Sequence, residues 1–194
     1  MGKSVYDSPK IINKNERHIL TILVDNEPGV LARVVGMFSG RGYNIESLNV
    51  AEVSLNEHLS RITVVTEGNK DIIDQIRNQL MRIVPVHNVN DLTEEGASVE
   101  AEVALILIDN EVGDKKEIYR ICDLYRARKI ENENNSIIFE IAGTSERIDS
   151  FIKDISNKAK IEIVRSGPVA LSSIIQKEEV EWEFTMIKMQ ISIY

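Results

Sequence analysis

The chain has 194 residues, 43% of them hydrophobic, enough for one large or two small domains with a real core, and only 5% are aromatic, so that core must be aliphatic. Its 31 acidic and 23 basic residues give a net charge of −8, which leaves little of the counterion release that drives nucleic-acid binding. The single cysteine, Cys122, excludes an internal disulfide and a cysteine metal cluster and fits a cytoplasmic setting, and no apolar stretch approaches the ~20 residues needed to cross a bilayer.

The opening "MGKSVYDSPKIINKNER" (1–17) has no apolar signal core, and Tyr6 stands where a myristoylation pattern needs Ser or Thr; it is read as a mobile arm. "HILTILV" (18–24) is β-branched and apolar, a strand. Val30, Leu31, Val34, Val35 and Phe38 then form one helical stripe, and "GRG" (40–42) stops that helix. "YNIESLNVAEV" (43–53) alternates with some irregularity and predicts a second strand; "LSRITVVTE" (59–67) predicts a third. After "GNKD" a helix buries Ile72, Ile73, Ile76 and Leu80, and "RIVPVHNVND" (82–91) closes the set, Pro85 marking an edge or a bulge. The order β-α-β-β-α-β is the ferredoxin-like split βαβ unit.

The second half repeats the order without repeating the sequence. "SVEAEVALILID" (98–109) reads as a strand, and "DKKEIYRICDLYRA" (114–127) as a helix with Ile118, Ile121, Cys122 and Tyr125 inside. "KIENENNSIIFEIAG" (129–143) predicts two strands about Asn134-Asn135, "TSERIDSFIKDIS" (144–156) a helix capped by Thr144 or Ser145, and "KIEIVRSG" (160–167) a last strand. The class is therefore α+β, with two tandem ferredoxin-like domains over 18–94 and 95–174, joined near "TEEGAS" (93–98). Two helices cover one face of each four-stranded sheet; the other face is left to water or, given its apolar content, to an oligomeric partner. The tail over 175–194 alternates Val180, Trp182 and Phe184 with Ile187, Met189, Ile191 and Ile193 after a phase slip, as an added strand with a bulge would; the alternative is an unstructured, apolar tail.

No catalytic pattern emerges. His18, His58 and His87 fall in separate elements without metal-ligand spacing, and Cys122 lies on an apolar helix face. "GRG" follows a helix and is too short for a dinucleotide fingerprint, and "IAGTS" (141–145) lacks the nucleophile elbow. The densest basic cluster, "YRARK" with Arg126, Arg128 and Lys129, sits at a helix end, where cations complement the dipole. "DNEPGVL" (25–31) is different. Pro28 suits the first position of a helix, which makes Glu27 a poor cap and leaves the amides of Gly29, Val30 and Leu31 open to an anion. Asn26 stands beside them with a donor and an acceptor. The same residues also describe an ordinary tight turn with solvated amides.

"DNEPGVLARVVGMFSGRGYNIESLNV" (25–50) resembles the start of the small, regulatory subunits of acetolactate synthase (acetohydroxyacid synthase), and the resemblance continues through "LSRITVV", "IDQIRNQLMRIVPVHNV", "AGTSERIDSFI" and "VRSGPVALS" to about residue 173. That family begins with an ACT domain. The resemblance implies a chain with no chemistry and no cofactor of its own. Its partner would be a large catalytic subunit using thiamine diphosphate, Mg²⁺ and FAD, which it would activate and make sensitive to a branched-chain amino acid, valine first. It further implies that Asn26 and Gly29, with the amides of Val30 and Leu31, hold the amino acid, and that Asn44 and Ile45 face it from the second protomer of an ACT dimer. Ala127 and Lys129 depart from the glycine and apolar character expected where that helix gives way to a strand. The alternative is a freestanding two-domain ACT sensor acting on another enzyme or regulator.

Overall fold

The computed structural model describes residues 15–54, 56–96, 98–109, 115–130 and 136–173. Most of the predicted arm, the Asn134-Asn135 turn and the predicted tail lie outside the described residues.

Nine strands and five helices follow one another as β1 (Glu16–Asp25), α1 (Val30–Gly40), β2 (Ser47–Ser54), β3 (Leu59–Gly68), α2 (Lys70–Leu80), β4 (Val86–Asp91), α3 (Leu92–Glu95), β5 (Ser98–Asp109), α4 (Lys115–Leu124), β6 (Arg128–Ile130), β7 (Ser136–Gly143), α5 (Ser145–Ser156), β8 (Ile161–Arg165) and β9 (Val169–Ser172) among the described residues. The first sheet has the order β2-β3-β1-β4 and the second β6-β7-β5-β8. Each is the antiparallel α+β sandwich that the β-α-β-β-α-β order predicts. In the first unit, Leu20, Ile22 and Val24 of β1 meet Val30, Val34 and Phe38 of α1 and Ile73, Ile76 and Leu80 of α2. In the second, Ile106 and Ile108 of β5 meet Ile121 of α4 and Ile148, Phe151 and Ile155 of α5.

Local chemistry sets the helix ends. Asn69 caps α2 and Thr144 caps α5, each side chain accepting an amide of the first turn. At the end of α1, Gly42 takes φ +72, its N–H bonds Ser39 C=O, and Tyr43 N–H bonds Phe38 C=O at 3.0 Å. This is a Schellman motif, with the Tyr43 ring set edge-on to Phe38 as its hydrophobic contact. Gly42 is thus the glycine of "GRG" that stops the helix.

Three expectations need correction. Strand β2 begins at Ser47, not 43, because the Schellman turn and the loop through Ile45 come first. Strand β4 begins at Val86: Pro85 lies just before this edge strand, and the register with β1 shifts between Leu23 and Val24. The outer face of the first sheet does not wait wholly for a partner. The last strand, β9, which periodicity missed, pairs with the first four residues of β5, and its Ala170 packs with Ile19, Val65 and Leu92. The two units are tied further by an ion pair between Arg17 and Glu100 at 3.0 Å.

Candidate functional site

The stretch 26–29 leaves β1 exposed to solvent. It is not the helix start foreseen. Val30, not Pro28, is the first helical residue, and Gly29 is the cap, at φ +88 and ψ −6 with no side-chain cap. Glu27-Pro28-Gly29-Val30 is a type II turn: Pro at the second place, Gly with positive φ at the third, and Val30 N–H reaching back to Glu27 C=O at 3.4 Å. Gly29 is required by that φ, not by crowding, since a Cβ there would meet nothing within 4 Å. The correction changes which amides are open. That of Val30 closes the turn over a long bond, whereas those of Gly29, Leu31 and Ala32 have no partner among the described residues. They stand at the positive end of α1.

Neighbouring strands fix the turn's position. Asp25 N–H bonds Pro85 C=O, Asn26 N–H bonds His58 C=O at 2.6 Å, and the Asp25 carboxylate pairs with His87 Nε2 at 2.6 Å. Sequence spacing could not reveal these supports. They arise because Asp25 lies opposite Leu59 and the β1–β4 register slips just before it.

The other two candidate residues stand elsewhere. Asn44 is exposed and accepts from Thr66 Oγ1 at 2.6 Å; Ile45 is half-buried against the first core. Leu59 and Thr66 are seven residues apart along β3, about 23 Å of extended chain. Asn26 and Asn44 therefore lie at opposite ends of the sheet, and one chain does not bring them to a common ligand.

The three histidines share no site. His18, buried, pairs with buried Asp91 at 2.7 Å; His58 lies 3.9 Å from Glu52; His87 pairs with Asp25. Burial, with Asp123 beside it, pushes the Cys122 thiol up to about 12, so it behaves as a packing residue. Among the described residues no three His, Cys, Asp or Glu side chains are grouped to hold a metal ion, and no helix is long and apolar enough to cross a membrane.

A polar cluster of the second unit, facing the cleft between the two, escaped sequence analysis. Glu102, 2% exposed, accepts from Arg165 Nε at 2.6 Å, Arg165 Nη2 at 2.8 Å and Ser145 Oγ at 3.0 Å. The Arg165 hydrogen bonds hold the Glu102 carboxyl below the usual carboxylate range against the effect of burial. Arg165 also reaches Asp149, and a cleft of about 580 Å³ opens beside the cluster, lined by Arg17, Ser47, Leu48 and Pro168.

A first unit with a glycine turn opening α1, followed by a second sandwich of the same order, defines a tandem chain whose N-terminal part is of the ACT type. Residues 20–88 match the model of the AHAS small subunit-like ACT domain, and residues 101–174 match that of the small subunit of acetolactate synthase. The isozyme 3 small subunits of acetolactate synthase from Salmonella typhimurium and Escherichia coli are each 41% identical over 157 residues, 80% of this chain and 95% of theirs. The crystal structure of the small subunit from Thermotoga maritima superposes with a TM-score of 0.72 at 33% identity, covering 83% of this chain and 99% of that one. The chain belongs to the acetolactate synthase small-subunit family.

Proposed function

We propose that the chain is a non-catalytic regulatory subunit. It raises the activity of a large acetolactate synthase subunit and makes it subject to feedback by a branched-chain amino acid, valine first, in the synthesis of valine, leucine and isoleucine. The condensation of two 2-oxo acids, with thiamine diphosphate, Mg²⁺ and FAD, belongs to the large subunit. What supports an effector site is the type II turn at Gly29, which offers unpartnered amides and the α1 dipole to a carboxylate.

The opposed placement of Asn26 and Asn44 carries the second part of the reading. Strand β2 is an edge strand with its outer edge unpaired among the described residues. If two copies join their β2 strands antiparallel about a two-fold axis, the start of one β2 meets the end of the other. Asn44 and Ile45 of one copy then arrive at the end of the sheet that holds Asn26 and Gly29 of its partner. One extended sheet thus completes two sites, each built from both copies.

Gly29→Asp and Asn26→Ala, reconstituted with the large subunit, test this. Asp at φ +88 is strained by ~1–2 kcal/mol, against a domain stability of ~5–15 kcal/mol, so the fold survives at a cost. Its carboxylate repels that of the ligand. Asn26→Ala removes hydrogen bonds without strain. Both variants should still stimulate the large subunit while the valine concentration for half inhibition rises at least about tenfold, the loss of one charge-assisted contact. Unchanged inhibition in both would remove the turn from the effector site.

A further inference from the structure

We propose that the loop between β8 and β9, clasped against β2, is the mechanical coupling through which effector occupancy at β2 reaches the second unit. This rests on the effector reading above and adds to it a place and a means. The loop comprises Ser166, Gly167 and Pro168. It is anchored to its own unit: Ser166 N–H bonds Val103 C=O, Val103 N–H bonds Ser166 Oγ, and the Arg165 side chain just before it hydrogen-bonds to Glu102. Across the gap, Asn49 Nδ2 donates to Ser166 C=O at 2.9 Å and to Pro168 C=O at 3.2 Å, bracketing Gly167.

Gly167 is the point of closest approach. A Cβ there would collide with Ser47 Oγ and come within 3.3 Å of Ser47 Cβ and Asn49 Nδ2; the three nearest atoms all belong to β2. Ser47 is three residues beyond Asn44, with Glu46 N–H already bonded to Val65 C=O. A shift of the Asn44–Ile45 segment on binding therefore moves Ser47 and Asn49, and two hydrogen bonds plus one steric contact oblige the loop to follow. The loop in turn carries β9, which is paired with β5, and through Arg165 it carries Glu102 and the start of α5.

The test is a steric suppressor pair in the reconstituted synthase, with valine, leucine and isoleucine as titrants. Gly167→Ala pushes the loop off β2. Ser47→Ala removes the atom it strikes. The strain of Ala at φ +72 is common to the single and double variants and cancels in their comparison. Asn49→Asp keeps the shape but turns a carboxylate oxygen toward two carbonyl oxygens. Gly167→Ala and Asn49→Asp should bind the inhibitory amino acid, measured by calorimetry on the regulatory subunit, within about threefold of wild type. Their half-inhibitory concentration should rise about tenfold or more, within the usual range of coupling between sites. Adding Ser47→Ala to Gly167→Ala should restore inhibition. Inhibition of Gly167→Ala equal to wild type, or no rescue in the double variant, overturns the coupling. If none of the three amino acids binds or inhibits the wild type, the effector reading falls first and the coupling with it.

Discussion

Arg126 shows what a single residue costs at a place that wants glycine. The end of α4 repeats the geometry of α1: Arg126 N–H bonds Asp123 C=O and Ala127 N–H bonds Cys122 C=O at 2.8 Å, with Arg126 itself at φ +51. It is a Schellman motif with Arg where α1 has Gly42, one residue before the Ala127 that the sequence reading marked as the departure. A left-handed non-glycine residue costs ~1 kcal/mol, so Arg126→Gly should stabilise the chain by about that much, read as a higher urea midpoint. A lower midpoint would mean that the arginine side chain contributes more than its backbone loses. Glu102 gives the second residue-scale expectation. Its folded carboxyl is held below its unfolded value, chiefly by Arg165, so it contributes stability that is present above the ordinary carboxylate range and lost as pH falls through its folded value. Glu102→Gln should be less stable than wild type at pH 7, by ~1–3 kcal/mol for a charged hydrogen-bonded group, and the gap should close as the solution is acidified through and below the ordinary carboxylate range. A gap independent of pH contradicts the assignment.

Among the elements, β2 is the one on which the proposed two-chain site rests, and none of its residues is fully buried. It is an edge strand whose last five residues are mostly exposed, including Val50 and Val53. An apolar unpaired edge is a pairing site. The full chain should therefore sediment as a dimer or larger at micromolar concentration, and Val50→Pro, which bars a continuous strand pairing at mid-edge, should weaken that state. A wild-type chain that stays monomeric contradicts the two-chain site. The long periodic elements were legible in the sequence because apolar residues recur at helical or strand spacing: α2 with Ile73, Ile76 and Leu80, α5 with Ile148, Phe151 and Ile155, and β5 over its full length. The short ones, α3 and β9, were not. Four residues hold too little periodicity, and both are set by tertiary contacts around Leu92 and Ala170. "NEPG" announced a special turn, but which of its amides remain free depended on the φ of Gly29, and that turned on whether Pro28 stood inside the helix or inside the turn before it.

At the scale of the molecule, two small sandwiches divide what a regulatory subunit must do. The first offers an anion-receptive turn and an edge strand that can duplicate it. The second is bound to the first at β9, α3 and the Gly167 loop. The most direct measurement is the rate of acetolactate formation by the cognate large subunit, with and without this chain, over a titration of valine. The account predicts that the chain alone forms no product, that adding it raises the large subunit's rate severalfold, and that valine reverses the gain. A rate unaffected by the chain at saturating concentration would contradict it.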